Sequence, residues 1–283
     1  MLGSSSGTNG STQKSNGRAR AAAWTAADGP TESRGGIERP GKHPLPTTPH
    51  PSWLADMLAR TGRAWEDACW PRLLVRTAGG DLPPLAIWRR TLAELFPIVE
   101  NFPKYMGVTL SKTTYGARPG DIRVRRWLLQ NLAVEARHTE WYIDWVEGIG
   151  VDVASAIQPP LSPEVAALHD HLVQCVCEGS MAEGLAATNW AIEGVTGVWT
   201  RNISERFGAY ADGGVRLDER SLMWIKAHAH YDDAHPDEAL EAVKLYVDET
   251  DTQEIARVEA SAARNRTSER AAVEASYDRV QTA

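Results

Sequence analysis

Apolar residues recur at intervals of three and four from Trp53 onward, and no stretch sustains the strict alternation that a half-buried strand requires. The pattern fills segments at about 53–77, 82–112, 121–148, 162–178, 180–207, 217–234 and 236–248. Asp121 and Asp218 stand where helix N-caps are expected, and Gly148 and Gly150 mark a stop. Pro159, Pro160 and Pro163 punctuate the connection before the fourth segment. There is no internal repeat. The expectation is an all-α chain, with one domain of about seven helices over residues 51–283. The stretch 250–283 is polar with scattered Ala and Arg, which predicts a terminal helix whose docking the pattern does not fix. Eleven Trp against three Phe is an unusual balance. Most of these tryptophans fall in apolar helical stripes and read as core and pocket wall.

Residues 1–50 have a different character. MLGSSSGTNGSTQKSNGRAR is rich in Gly, Ser, Asn and Thr, and GGIERPGKHPLPTTPHP adds prolines and isolated charges. Such a segment buries too little apolar surface to offset its ordering entropy, so a disordered extension is expected. It has no apolar core of the kind a secretory signal carries. A net charge of −7 offers no attraction for nucleic acid or an anionic membrane surface. No apolar run approaches the ~18–20 residues of a spanning helix. Cys69, Cys175 and Cys177 are odd in number, with one C-x-C pair. That fits neither a disulfide framework nor a four-ligand zinc site, and reads as reduced thiols in a cytoplasmic protein.

The chemistry lies in acids and imidazoles placed inside apolar helices. In NLAVEARHTEW, Glu135 and His138 are three apart and share a helix face. In KAHAHYDDAHPDE, His228, Asp232 and His235 fall at i, i+4 and i+7, within about 60° of one another on a continuous helix. Glu193 is an isolated acid in ATNWAIEGVTGVW, and Glu100 another in LFPIVENFPKYM. Taken singly, each has an ordinary reading. Glu-x-x-His can be a solvated pair, Asp232 and Asp233 can end one helix before His235-Pro236 begins the next, and Glu193 can be satisfied by an indole or an amide. Together they need a shared explanation, because burying one ionised carboxylate costs several kcal/mol without a compensating partner. A pair of iron ions supplies one, since Glu-x-x-His is how helix bundles present mixed carboxylate and imidazole ligands to two irons. Asn131 and Asn189, one turn before Glu135 and Glu193, are placed to hydrogen-bond those carboxylates.

These motifs resemble those of the heme-oxygenase-like diiron oxidases, whose fold is shared with the thiaminase-type TenA proteins and the PqqC-type quinone-cofactor synthases. The resemblance runs from about Trp53 to Val247 through PIVENFPKYM, RRWLLQNLAVEARHTEWY, AATNWAIEGVTGVW and KAHAHYDDAHPDEALE. It implies a heme-oxygenase-like helical bundle holding two Fe(II) ions on Glu135, His138, Glu193, His228, Asp232 and His235. Glu100 is implied as a further ligand or a neighbour of one. The most similar branch decarboxylates medium-chain fatty acids to terminal alkenes with O2, starting at C3. Other branches oxygenate or cleave amines with nearly the same ligands. The implied partners are therefore O2, a small carboxylate or amine substrate and an electron donor that the sequence does not identify, with a homodimer as the expected assembly. A metal-free TenA-type hydrolase is a further reading, although neither Cys175 nor Cys177 sits in the setting of that family's nucleophile.

Overall fold

A computed structural model describes residues 45–116, 118–157, 161–230 and 235–282. All regular structure among them is helical, as the periodicity predicts. The first expected segment divides at Trp70-Pro71 into α1 (Ser52–Cys69) and α2 (Arg72–Ala78). The residue before a proline avoids the helical region, and Trp70 accordingly leaves it, with φ −129° and ψ 53°. The next elements are α3 (Leu85–Ser111), α4 (Asp121–Gly148), the single turn α5 (Val153–Ala156) and α6 (Pro163–Cys177). Residues 181–207 form one continuous rod: α7 (Met181–Leu185), a π-helical segment Ala186–Ile192, then α8 (Glu193–Phe207). After them come α9 (Met223–His230), α10 (His235–Tyr246) and α11 (Thr252–Gln281). No described helix is long and apolar enough to cross a membrane.

Asp121 is not the cap of α4. Gly120 takes that place with φ +85°, and the Asp121 carboxylate instead accepts from the Thr114 amide at 3.0 Å and its hydroxyl at 2.7 Å. Asp218 does accept from the Ser221 amide three residues on, at 2.9 Å, but it caps a turn that precedes α9. Of the segment expected to be an extension, residues 1–44 lie outside the described residues. Residues 45–50 run against α10: Leu45 is buried in the core, and Glu241 accepts from the Thr48 amide and hydroxyl at 2.8 Å each.

The undetermined docking of the last segment resolves into a central position. α11 packs against α1, α3, α6 and the π segment. Its buried face is polar for a core helix, and several of the polar groups there are met by particular partners. Asn265 donates to the Ala187 carbonyl inside the π segment at 2.8 Å. The Arg266 guanidinium packs against both Trp65 and Trp190, 4.3 and 4.0 Å from the ring centroids, an arrangement that offsets part of its desolvation. Arg279 bridges Glu94 of α3 at 2.7 Å and Glu164 of α6 at 2.9 Å. Gly194 gives Trp65 its room, since a Cβ there would stand 2.3 Å from the Trp65 ring. Two hydrophobic clusters result, one around Phe102, Trp127 and Leu172, the other around Trp88, Trp145 and Phe207. A cavity opens where they meet.

Candidate metal centre

The cavity wall is mostly apolar, with Leu92, Phe102, Trp145 and Trp199 among its residues. Glu135 and His138 of α4, Glu193 of α8 and His228 of α9 enter it together. All four side chains are buried. Helical spacing sets Glu135 beside His138, whose Nδ1 is hydrogen-bonded to Glu135 Oε2 at 2.9 Å. The His138 and His228 rings approach to 4.3 Å between centroids. Across the cavity, His235 Nδ1 stands 3.7 Å from Glu193 Oε2.

Each donor is oriented from behind. His228 Nδ1 donates to the Trp224 carbonyl at 2.8 Å, which leaves the ring lone pair on Nε2, and the ring lies 4.1 Å from that of Trp224. Asn189 fills the role its spacing suggested and donates to Glu193 Oε1 at 2.6 Å. The Thr188 hydroxyl, 2.7 Å from the Gly184 carbonyl and 3.1 Å from Asn189 Oδ1, shares its proton between them. The wider π ladder ends where Glu193 begins, a placement typical of functional helices. Asn131 is buried, but its Nδ2 has no hydrogen-bond partner among the described residues, so the parallel role expected beside Glu135 is not seen. Replacing Asn189 by Ala should weaken iron binding about 10- to 100-fold while leaving the helix content unchanged, because it frees Glu193 to turn. Metal titration followed by circular dichroism checks both halves of that expectation.

Glu100 is not brought to this group. It is 38% exposed and paired with Lys104 one turn along α3. Asp232 lies outside the described residues, between α9, which carries His228, and α10, which opens on His235. Among the described residues no three acids, imidazoles or thiols close to metal-binding distance. They stand as two facing pairs, with His228 against one of them. Trp199 and Trp224 line the cavity, as the reading of the tryptophans as pocket wall expects, whereas Trp190 faces Arg266 on another side.

The donor set fits a divalent iron site in its chemistry. Burial raises the Glu135 carboxyl to about 7, against the pull of the His228 and His235 imidazoles. Burial, then the adjacent His138, pushes His228 down to about 3, against Glu135 and the Trp224 carbonyl. A neutral imidazole is the form a cation takes up, and the Glu135 carboxyl would give up its proton on binding one. Sequence reasoning missed one more acid in the wall, Glu269 of α11, held well above the usual carboxylate range by burial. It sits in the stretch whose low hydropathy gave no sign of a buried face.

These shifts set the pH profile of the metal-free protein. Glu135 and Glu269 keep protons that the unfolded chain releases near 4.5, so their contribution is complete below that pH. The Glu135 share is lost as pH rises through about 7. His228 acts in the opposite sense, complete above 6.5 and lost as pH falls towards 3. One carboxyl offsets the imidazole up to about 6.5; both then act together to about 7, and Glu269 alone beyond it. Metal-free protein should therefore unfold at lower temperature near pH 7.5 than near pH 5.5, at ~1.4 kcal/mol per pH unit for each uncompensated proton. A flat or rising profile would mean that Glu135 is already ionised.

No curated protein matches the chain in sequence. Among solved structures, a TenA homolog from Pseudomonas syringae pv. tomato superposes with a TM-score of 0.75 at 29% identity, covering 83% of this chain and 99% of that one. A protein of Shewanella denitrificans, described as a domain of unknown function with a heme oxygenase-like fold, gives 0.63 at 15% identity, covering 81% and 93%. A TenA homologue from P. horikoshii gives 0.63 at 14%, covering 80% and 98%. The last two bear on the fold alone, which is heme-oxygenase-like. A family model described as iron-containing redox enzyme matches residues 89–268, more than half of the chain and all of its facing acids and imidazoles, and the chain belongs to that family.

Proposed function

We propose that this protein is a non-heme diiron oxidase that uses O2 to oxidise a largely apolar substrate bearing one polar head group. The observation that carries the reading is the delivery of Glu135, His138, Glu193 and His228 from three helices into one apolar cavity, with His235 facing Glu193. Glu135, His138, Glu193, His228 and His235 would hold the two irons, with Asp232 completing the set. Two ferrous ions bound there supply the electrons that activate O2.

The chain's own residues do the rest. Asn189 holds Glu193 in one rotamer, and the Trp224 carbonyl fixes the His228 tautomer. Leu92, Phe102, Trp145 and Trp199 exclude water and receive an alkyl chain. Such a wall suits the decarboxylation of a medium-chain fatty acid, the reaction of the most similar branch. Oxygenation or cleavage of an amine is favoured by one feature of the wall, the acid Glu269. Thiol-dependent hydrolysis has less behind it, because none of the cysteines lines the cavity. Burial pushes the Cys69 thiol up to about 12 and raises Cys175 as well, whereas a nucleophilic cysteine needs the opposite.

Anaerobic Fe(II) titration followed by O2 uptake with medium-chain acids and an amine panel tests the reading. Binding of two irons per chain and substrate-dependent O2 consumption are expected. Protein that takes up no iron, with or without substrate, would sink it.

A further inference from the structure

Glu269 is the one acid in the cavity wall contributed by α11, and it is 4% exposed. Its Oε2 accepts no hydrogen bond among the described residues. Arg270, the next residue, pairs with Asp67 at 3.7 Å instead, and Arg266, one turn earlier, packs against Trp65 and Trp190 and makes no ion pair with it, its charge acting on the carboxyl against the larger effect of burial. Thr91 of α3 lines the same cavity, 2% exposed, and its hydroxyl is also unpartnered among the described residues. Five other buried helical threonines do not behave this way. Thr61, Thr77, Thr109, Thr188 and Thr200 each donate to the carbonyl four residues back, at 2.7 to 3.0 Å.

Two polar groups with unused capacity in an apolar wall are costly unless something meets them. The charge of the wall says what that is. Among the described residues it carries the carboxyls of Glu135, Glu193 and Glu269, and no Lys or Arg. The two former acids have imidazoles beside them and the irons proposed above; Glu269 has neither. An anionic head group finds no basic side chain here, whereas a basic one finds an acid with a proton to give.

We propose that Glu269, with Thr91, forms a subsite for the amino group of the substrate, so that this chain oxidises an alkyl amine or amine-bearing chain and not a plain fatty acid. A neutral amine enters, the Glu269 carboxyl proton passes to its nitrogen, and an ammonium–carboxylate pair forms with no net change of charge. The Thr91 hydroxyl accepts one of the remaining ammonium N–H bonds. The word substrate rests on the oxidase reading, while the subsite is a statement about binding and can be tested separately.

The test is equilibrium binding of hexylamine, hexanol and hexanoate to the full-length, Fe(II)-loaded protein under anaerobic conditions, by calorimetry. Hexylamine should bind at least ~10-fold more tightly than hexanol, the worth of one charge-assisted hydrogen bond. Glu269→Gln should bring hexylamine down to the hexanol level and leave hexanol unchanged. Thr91→Val, which keeps side-chain shape, should weaken hexylamine a few-fold and serves if the Glu269 variant does not fold. Equal binding of amine and alcohol by the wild type, a preference for hexanoate, or an amine preference untouched by both substitutions overturns the proposal. Iron content and O2 uptake on the same samples separate the two claims. Protein that prefers hexylamine yet holds no iron defeats the oxidase reading and leaves the subsite standing. Protein that consumes O2 with hexanoate but not with hexylamine defeats the subsite and leaves the oxidase.

Discussion

Replacing His228 by Ala lowers iron binding at its site by more than ~100-fold, and O2 uptake with it, the loss being larger than the 10- to 100-fold typical of residues that only orient a ligand. The reason is local. The imidazole is buried, its Nδ1 is committed to the Trp224 carbonyl, and burial keeps it neutral far below physiological pH. A methyl group in its place removes a lone pair that no exposed residue nearby can replace. Iron per chain after anaerobic loading and desalting is the direct measurement, and it should fall from two to one or fewer. Wild-type iron content in this variant would remove His228 from the ligand set and with it the assignment of α9 to the centre.

The largest loss of stability is expected from Trp145→Ala, at about 3–5 kcal/mol. Trp145 is almost fully buried and joins four rings: it stacks on Trp224 at 5.2 Å, meets Tyr142 and Phe207 edge-on at 5.7 and 5.2 Å, and tilts against Trp88 at 5.9 Å. Its indole N–H has no hydrogen-bond partner among the described residues, so the whole effect is packing. Trp224 in turn supports the His228 ring, and the cavity left by the substitution lets both shift. Thermal unfolding should show the full loss for Trp145→Ala and a much smaller one for Trp145→Phe. Iron affinity should fall in the same order. An unchanged iron affinity in the Ala variant would separate the aromatic cluster from the metal centre.

The sequence carried the helices and much of the site because both are periodic. Glu135 and His138 had to share a face once α4 was a helix, and Asn189 had to lie one turn from Glu193. Glu100 read as an isolated acid in an apolar stretch, whereas Lys104, four residues on, pairs with it at the surface. The docking of α11 was hidden because its buried face is built from Asn265, Arg266, Glu269 and Ser276, residues whose burial depends on partners elsewhere. Hydropathy counts such residues as solvent-facing. The shape of the polypeptide that rejoins them, through Trp65, Trp190, Ala187 and Glu94, is a property of the fold. The π segment was equally invisible, since its residues, AATNWAI, have the spacing of an ordinary buried helix.

The central position of α11 also fixes an order of assembly on the ribosome. Every acid and imidazole of the proposed centre, from Glu135 to His235, is synthesised before α11, which then supplies the wall that closes the cavity between α1, α3, α6 and the π segment. Until Thr252–Gln281 has emerged and docked, Trp65 and Trp190 lack the guanidinium packed against them and Glu94 lacks Ser276 and Arg279. A nascent chain therefore presents its ligands before it has a closed compartment to shelter a reactive metal. Safe loading belongs to a chain whose α11 has already docked.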